Sequence, residues 1–404
     1  MEIEVRTIGD GEREKWVRAG DASFSEILKE DEVAAMLPTI DADRSFAALD
    51  GDLIVGTSAA ITTRMVVPGG ARIPTAAVTM VGVSPTHRRK GINTSMMRAI
   101  LEQAVERGEP VGALFASEGA IYGRFGYGLS AYLGEFQAES ARMQYVRGYE
   151  PRGRTALVSR EEAMPLIGRI YDEALRPGGV ERSAVLRDLR FAPVGEDKDK
   201  SWFYAVHLGA DGEPDAYAVY SMKHEWPRSV PAGTIEVRES MASTPSGYAA
   251  IWRYVFDIDL AATVEAWGRP ADEPLFQLLR EPRRLRFGLM DGLWVRLIDI
   301  PTALGARRYA RDGRLVFDVS DPFRPANDGR YELVVEDGAG RCEPTDDEPD
   351  LAGSVNVLGA VYLGGVSFGQ LAEASQVEER REGSVRLADA MFASFPAPWC
   401  PWAF

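Results

Sequence analysis

The hydrophobic rhythm of the chain changes sharply between Val78 and Val105. Val78-Thr-Met-Val-Gly-Val83 is a short, mostly apolar run that predicts a buried strand, whereas Met97, Ile100, Leu101, Ala104 and Val105 recur at helical spacing and predict a helix from Thr94 onward. Between them lies the polar turn Ser84-Pro-Thr-His-Arg-Arg-Lys-Gly-Ile-Asn93. A second apolar run, Val111 to Ser117, reads as another strand. The segment Glu118-Gly-Ala-Ile-Tyr-Gly-Arg-Phe-Gly-Tyr-Gly128 follows it as a short tyrosine-bearing helix. Upstream, the pattern predicts a strand at Ile3 to Thr7 and helical pieces bearing Trp16, Phe24, Ile27, Leu28 and Met36. Strands at Phe46 to Leu49 and Leu53 to Ile61 are joined by Asp50-Gly51-Asp52, and a further strand, Thr62 to Val67, turns at Pro68-Gly69-Gly70.

Gly148 to Thr155, rich in Gly, Pro and Arg, reads as a linker into a second mixed unit. There the pattern predicts a helix over Arg160 to Ala174, strands at Trp202 to Leu208, Ala216 to Lys223 and Thr234 to Met241, and a helix bearing Ile251, Tyr254 and Val255. The order echoes the first unit, as a degenerate internal copy would. Its turn, Thr244-Pro-Ser-Gly247, carries no cation, so an anion site is not expected to repeat. From Asp291 the pattern changes again, with strands beginning near Trp294, Arg314, Tyr331 and Cys342, a helix near Thr302 to Ala310, and the apolar run Val357 to Gly365 read as a strand. This is a third, α+β unit.

The 404-residue length exceeds one ordinary domain. Lys plus Arg total 46 against 61 Asp plus Glu, a net charge of −15, which argues against nucleic acid or anionic membrane as partners and favours cationic substrates. Cys342 and Cys400 form no CxxC pair, so neither a disulfide framework nor a zinc site is expected. No basic leader precedes an apolar segment near Met1 and no run approaches a membrane span, so the expected location is the cytoplasm. The acidic run Asp346 to Asp350 lacks metal-ligand spacing and reads as a solvated loop, and no metal is expected.

The turn between strand and helix carries the most chemistry. Arg88, Arg89 and Lys90 supply cations, Gly91 lets the backbone approach an anion closely, and the helix end adds free N–H groups with partial positive charge. A diphosphate fits that combination; a basic turn that only solvates itself is the alternative. The motif Arg88-x-x-Gly91-x-Asn93 resembles the acyl-CoA pyrophosphate loop of GNAT acetyltransferases, which usually ends in Gly or Ala. Asn93 departs mildly, since it tolerates left-handed backbone and caps helices.

Three features together, the succession of units, the string Ile121-Tyr-Gly-Arg-Phe-Gly-Tyr-Gly128 and a C-terminus ending in Phe404, are similar to the enhanced intracellular survival (Eis) family of GNAT N-acetyltransferases. The resemblance implies α/β and α+β architecture: a GNAT domain over 1–147, a second GNAT-like domain without cofactor over 148–290, and a sterol-carrier-protein-like domain over 291–404 whose end reaches the active site. It implies acetyl-CoA as co-substrate, acceptors that are primary amines of aminoglycosides or lysine side chains, and a homohexamer. Carried over by position, Val81 and Val83, with Gly82 between them, would bond the pantetheine arm. Arg88, Arg89, Lys90, Gly91, Ile92, Asn93 and Thr94 would hold the diphosphate, and Ser117 and Glu118 would border the ligand. Tyr122 matches the general acid, and the α-carboxylate of Phe404 matches the base. Phe24, Glu26, Met80 and Ala403 would line the amine pocket. The position of Ala403 can be acidic in the family; Glu26 would supply a carboxylate in its place, a plain surface charge being the alternative.

The chemistry of direct amine attack on a thioester suits these types. Tyr122, with an ordinary pKa of about 10, stays protonated at neutral pH, whereas a terminal carboxylate near 3.5 is a weak base unless burial raises it. The apolar tail Pro396 to Phe404 supplies a means of burial. Two other readings stay open: a CoA-regulated or non-catalytic protein that binds lipid or a partner through its last domain, and a serine hydrolase at Gly365-Val-Ser367-Phe-Gly369. The histidines are His87, His207 and His224, none downstream of Ser367, so the usual chain order of an elbow triad cannot be built.

Overall fold

A computed structural model of the chain describes residues 3–146 and 152–404. The expected linker lies outside the described residues up to 151, as does the expected 147/148 boundary. The chain divides into two compact units, the first gathering Met1–Tyr132, Arg176–Leu189 and Asp291–Phe404, the second Leu133–Leu175 and Arg190–Met290.

Numbered along the chain, the strands are β1 (Glu4–Thr7), β2 (Ser45–Asp50), β3 (Leu53–Val66), β4 (Arg72–Val83), β5 (Val111–Phe115), β6 (Gly128–Glu139), β7 (Arg154–Val158), β8 (Trp202–Leu208) and β9 (Pro214–Lys223). They continue as β10 (Gly233–Ala242), β11 (Ala261–Pro270), β12 (Gly288–Leu297), β13 (Gly313–Ser320), β14 (Gly329–Glu336), β15 (Ala339–Pro344), β16 (Leu351–Ser354) and β17 (Val377–Glu379). Four helices of the first unit bear on the site: α1 (Arg13–Ser23), α2 (Glu30–Met36), α3 (Ile92–Glu106) and α4 (Gly119–Tyr122).

In the first unit the strand order is β1-β2-β3-β4-β5-β12, antiparallel throughout except for the β4/β5 pair. A parallel pair needs a crossover, and α3 provides it. Its face bearing Ile92, Met96, Met97, Ile100, Leu101 and Ala104 is buried, as the spacing predicts, and it opens at Ile92 rather than Thr94. The strands expected separately at Leu53 to Ile61 and Thr62 to Val67 form one strand, β3, because its pairing with β4 continues without a break from Ala59 to Val66. Phe24, Ile27 and Leu28 fall in the loop between α1 and α2, not in a helix.

The C-terminal sheet of the same unit has the order β15-β14-β13-β16-β17. Leu315, Phe317, Leu333, Val335 and Leu358 share a buried cluster there with Phe368 and Phe392. The apolar run read as a strand is instead the helix Val355–Val361, buried on most sides, so apolar residues follow one another without alternation. This also removes the strand that a nucleophile elbow requires. Ser367 is a helix cap: its Oγ accepts from the Gln370 N–H at 3.0 Å, and the Gln370 Oε1 accepts from the Ser367 N–H at 2.9 Å. Ser367→Ala is expected to cost about 1 kcal/mol of stability in denaturant titration.

The second unit has the strand order β6-β11-β10-β9-β8-β7, with β10 and β11 parallel and the helix Pro245–Phe256 crossing between them. The order of elements of the first unit therefore recurs.

Candidate active site

The site begins where β4 and β5 part. Their pairing runs only from Thr75–Ala77 to Val111–Ala113, so among the described residues β4 has no partner on that edge from Val78 to Val83. On its other edge the register with β3 shifts between Thr57 and Ala59, and Met80 has φ 53°. This bulge is pinned by the Thr57 hydroxyl donating to the Met80 carbonyl at 2.9 Å. Peptide groups around Val81 thus border an open wedge instead of a ladder. Gly82 is required by its neighbour: a Cβ there would lie 2.7 Å from the Ser23 Cβ at the end of α1.

Beyond β4 the chain makes a 3-10 turn, Pro85–His87, and then reaches the basic loop. Buried His87 faces the Asp50 carboxylate through Nε2 at 3.2 Å and the Thr86 hydroxyl through Nδ1 at 2.8 Å, a packing arrangement that anchors the loop. Arg89 has φ 63° and Gly91 φ 80°, and α3 starts immediately afterwards. The N–H groups of Ile92, Asn93 and Thr94 open that helix, where no intrahelical acceptor exists for them. Arg89 and Lys90 are exposed. Arg88 is engaged differently, donating to the Ser23 carbonyl at 2.9 Å and the Val83 carbonyl at 3.3 Å. It ties the loop to α1. Left-handed backbone, helix N-terminus and two exposed cations fit a diphosphate.

The corresponding place in the second unit differs in charge. The helix Pro245–Phe256 is capped by Thr244, whose Oγ1 accepts from the Gly247 N–H at 2.9 Å. A Cβ at Gly247 would meet the Asp215 carboxylate at 2.6 Å, and Asp215 in turn faces His207 Nδ1 at 2.6 Å. The protein's own carboxylate sits at this helix end, where it repels a phosphate.

Tyr122 closes α4, one turn after β5, and is 5 % exposed. Its ring meets those of Phe125 at 6.5 Å and Tyr127 at 6.2 Å, and it shares a cluster with Leu114 and Val78. Burial first, and the Glu118 carboxylate second, raise its pKa above the ordinary value of 10.0. Ser117 and Glu118 are exposed at the mouth of the wedge. The C-terminal tail arrives from the other side of the strand. Phe404 packs edge-on against Phe115 at 5.3 Å and against Trp402 at 5.5 Å. Leu114 and Phe115 are successive residues of β5 and therefore point to opposite faces. Tyr122 packs with the first and Phe404 with the second.

Phe24 and Glu26 lie exposed in the loop after α1, Met80 is half-buried on the bulge beside Gly20, and Ala403 is exposed. Asp21 was not anticipated. Its carboxyl pKa is raised, mainly by burial and then by the charges of Glu26 and Glu32, so a group of carboxylates lies at this end of α1. Arg296 was also missed, although an arginine inside the apolar strand Trp294-Val-Arg-Leu was a visible signal. Among the described residues no group of three or more His, Cys, Asp or Glu is arranged to hold a metal ion, and no helix is long and apolar enough to cross a membrane.

Comparison with known proteins fits this geometry. Two models of an acetyltransferase (GNAT) domain match residues 4–130 and 178–297, and a sterol carrier protein domain matches 300–401. The N-acetyltransferase Eis of Mycobacterium tuberculosis is 32% identical over 92% of each chain. The chain belongs to the Eis family of N-acetyltransferases. An uncharacterized N-acetyltransferase of Streptomyces avermitilis is 37% identical across 100% of both chains. The crystal structure of Eis1 from Mycobacterium abscessus superimposes with a TM-score of 0.87 at 30% identity, covering 99% of this chain and 100% of that one. Tandem GNAT domains followed by a sterol-carrier-like domain are thus the architecture of this Eis-type acyltransferase, and GNAT domains imply use of acetyl-CoA.

Proposed function

We propose that the protein transfers the acetyl group of acetyl-CoA to primary amines, of the kind found on aminoglycosides and lysine side chains, by direct attack of the amine on the thioester. The observation that carries this reading is the pair of contacts at the end of β5: Tyr122 packs on one face and Phe404 on the other, at the mouth of the β4/β5 wedge. A reaction that removes one proton from an attacking amine and delivers another to a leaving sulfur needs both a base and an acid within reach of one thioester, and both of these residues pack at the end of β5 beyond its last pair with β4.

In this reading Arg89, Lys90, Gly91 and the N–H groups of Ile92, Asn93 and Thr94 hold the diphosphate, with Arg88 fixing the loop. Val81, Gly82 and Val83 present backbone to the pantetheine arm, and Ser117 and Glu118 border it. Phe404 receives the proton of the amine through its terminal carboxylate as the C–N bond forms; Tyr122 donates its hydroxyl proton to sulfur as the C–S bond breaks. Phe24, Met80 and Ala403 line the acceptor side. Glu26, with Asp21 and Glu32 close enough for their charges to push up the Asp21 pKa, gives that side the negative charge a polycationic acceptor requires. By family resemblance the assembly is a homohexamer working in the cytoplasm.

The test is release of free thiol from acetyl-CoA with a panel of aminoglycosides, polyamines and lysine peptides. Acetylated product with at least one cationic amine is expected. A protein that binds acetyl-CoA but turns over with none of them would favour the carrier or regulatory alternative.

A further inference from the structure

We propose that Asn356, in the helix Val355–Val361 of the sterol-carrier-like region, is a positioning residue for Tyr122; the proposal rests on the reading of Tyr122 as the acid. One amide nitrogen carries the contact. Asn356 Nδ2 donates to the Gly123 carbonyl at 2.6 Å and to the Tyr127 carbonyl at 2.8 Å, so both of its protons bind the turn that follows Tyr122. Gly123 is the next residue after the acid. The turn also closes on itself, with the Gly126 N–H donating to the Gly123 carbonyl at 3.0 Å and the Tyr127 N–H to the Tyr122 carbonyl at 3.3 Å. Asn356 therefore grips both ends of one hydrogen-bonded loop.

The middle of the loop is held from the same direction. Arg296 donates to the Phe125 carbonyl and pairs with Asp321, both charged side chains being fully buried. Asp321 is itself fixed by the Asn327 amide at 3.1 Å and the Arg324 N–H at 3.0 Å. Glycines permit this closeness. A Cβ at Gly128 would lie 2.0 Å from the Asn356 carbonyl oxygen, and one at Gly359 would lie 2.1 Å from the Val295 carbonyl oxygen. Backbone packed on backbone leaves the helix little freedom to shift, so its asparagine is a rigid reference for the tyrosine. The last domain thus has a role in catalysis that needs no ligand of its own.

The experiment compares Asn356→Ala, Tyr122→Phe and the double variant in steady-state acetyl transfer. Asn356→Ala is expected to lower kcat about tenfold, a fraction of what a full ångström of misplacement costs, with the KM for acetyl-CoA unchanged. In the Tyr122→Phe background the same substitution is expected to have no further effect, because the hydroxyl it positions is gone. Should the alanine variant fail to fold, Asn356→Ser retains a donor in a smaller side chain and is expected to fall between parent and alanine. An unchanged kcat in a folded Asn356→Ala protein, or a loss that persists undiminished beside Tyr122→Phe, overturns the positioning role. A Tyr122→Phe enzyme as fast as the parent removes the acid instead, and the premise with it.

Discussion

Tyr122→Phe is expected to lower the turnover of acetyl transfer by about two orders of magnitude or more, the usual contribution of a positioned general acid, while acetyl-CoA binding and thermal stability stay near the parent values. The substitution removes one oxygen and keeps the ring. Contacts with Phe125 and Tyr127 and the cluster around Leu114 depend on the ring, so a tyrosine that served only to pack would show little change at all. The two readings therefore separate on kcat alone. A pH profile adds a second handle. Burial and Glu118 raise the Tyr122 pKa, so the donor form prevails through neutral and moderately alkaline solution and is lost only above the ordinary value of about 10. Parent kcat, measured at saturating amine, is expected to show no alkaline fall below that pH. An early fall near pH 8 would contradict a buried phenol as the acid, and unchanged turnover in Tyr122→Phe would exclude it.

Much of this architecture is legible in the sequence because periodicity reports burial. The helix Arg160–Ala174 and the strand β8 fall where their patterns place them, and α3 begins within one turn of its expected start. The failures share a cause. In the run Val357 to Gly365 almost every position is apolar, so no period distinguishes a buried strand from a helix covered on most sides, and length alone misled. Phe24, Ile27 and Leu28 have helical spacing but lie in a loop, with Ile27 95% exposed, so apolar residues there do not mark a core. Such exposure suits a loop at an acceptor mouth.

At the site, the local parts were readable and the distant ones were not. The basic loop, Gly91 and the helix start form one contiguous stretch, so residue types in order suffice to suggest an anion. The side chain of Arg88 could not be assigned that way, because its acceptors include a carbonyl at Ser23, brought near only by the packing of α1 on β4. Asn356 lies 233 residues from Gly123 in the chain, and an asparagine in an apolar run carries no local mark of its partner. The second unit's helix end follows the same rule. Its missing cations were visible, whereas the carboxylate of Asp215 that takes the place of an anion was a matter of folding.

Extending the chain beyond Phe404 by a short Gly-Ser segment is expected to reduce turnover to about one hundredth or less, as loss of a general base does, with acetyl-CoA affinity retained. The tail is held well before its last residue. The Trp399 N–H donates to the Pro177 carbonyl at 2.8 Å, the Cys400 thiol contacts the Trp402 carbonyl at 3.2 Å, and the Phe404 ring rests on Phe115. An extension therefore keeps the docking and changes the terminal group from a carboxylate to a neutral peptide. A control separates charge from place: deleting Phe404 leaves a free carboxylate on Ala403, displaced by about 3.5 Å of chain, and this variant is expected to be slow as well. In this reading the base needs help from its surroundings, since a free terminus with a pKa of roughly 3.5 accepts a proton from an ammonium poorly. An extended enzyme that keeps the parent's turnover excludes the terminal carboxylate and assigns deprotonation of the amine to solvent or to another side chain.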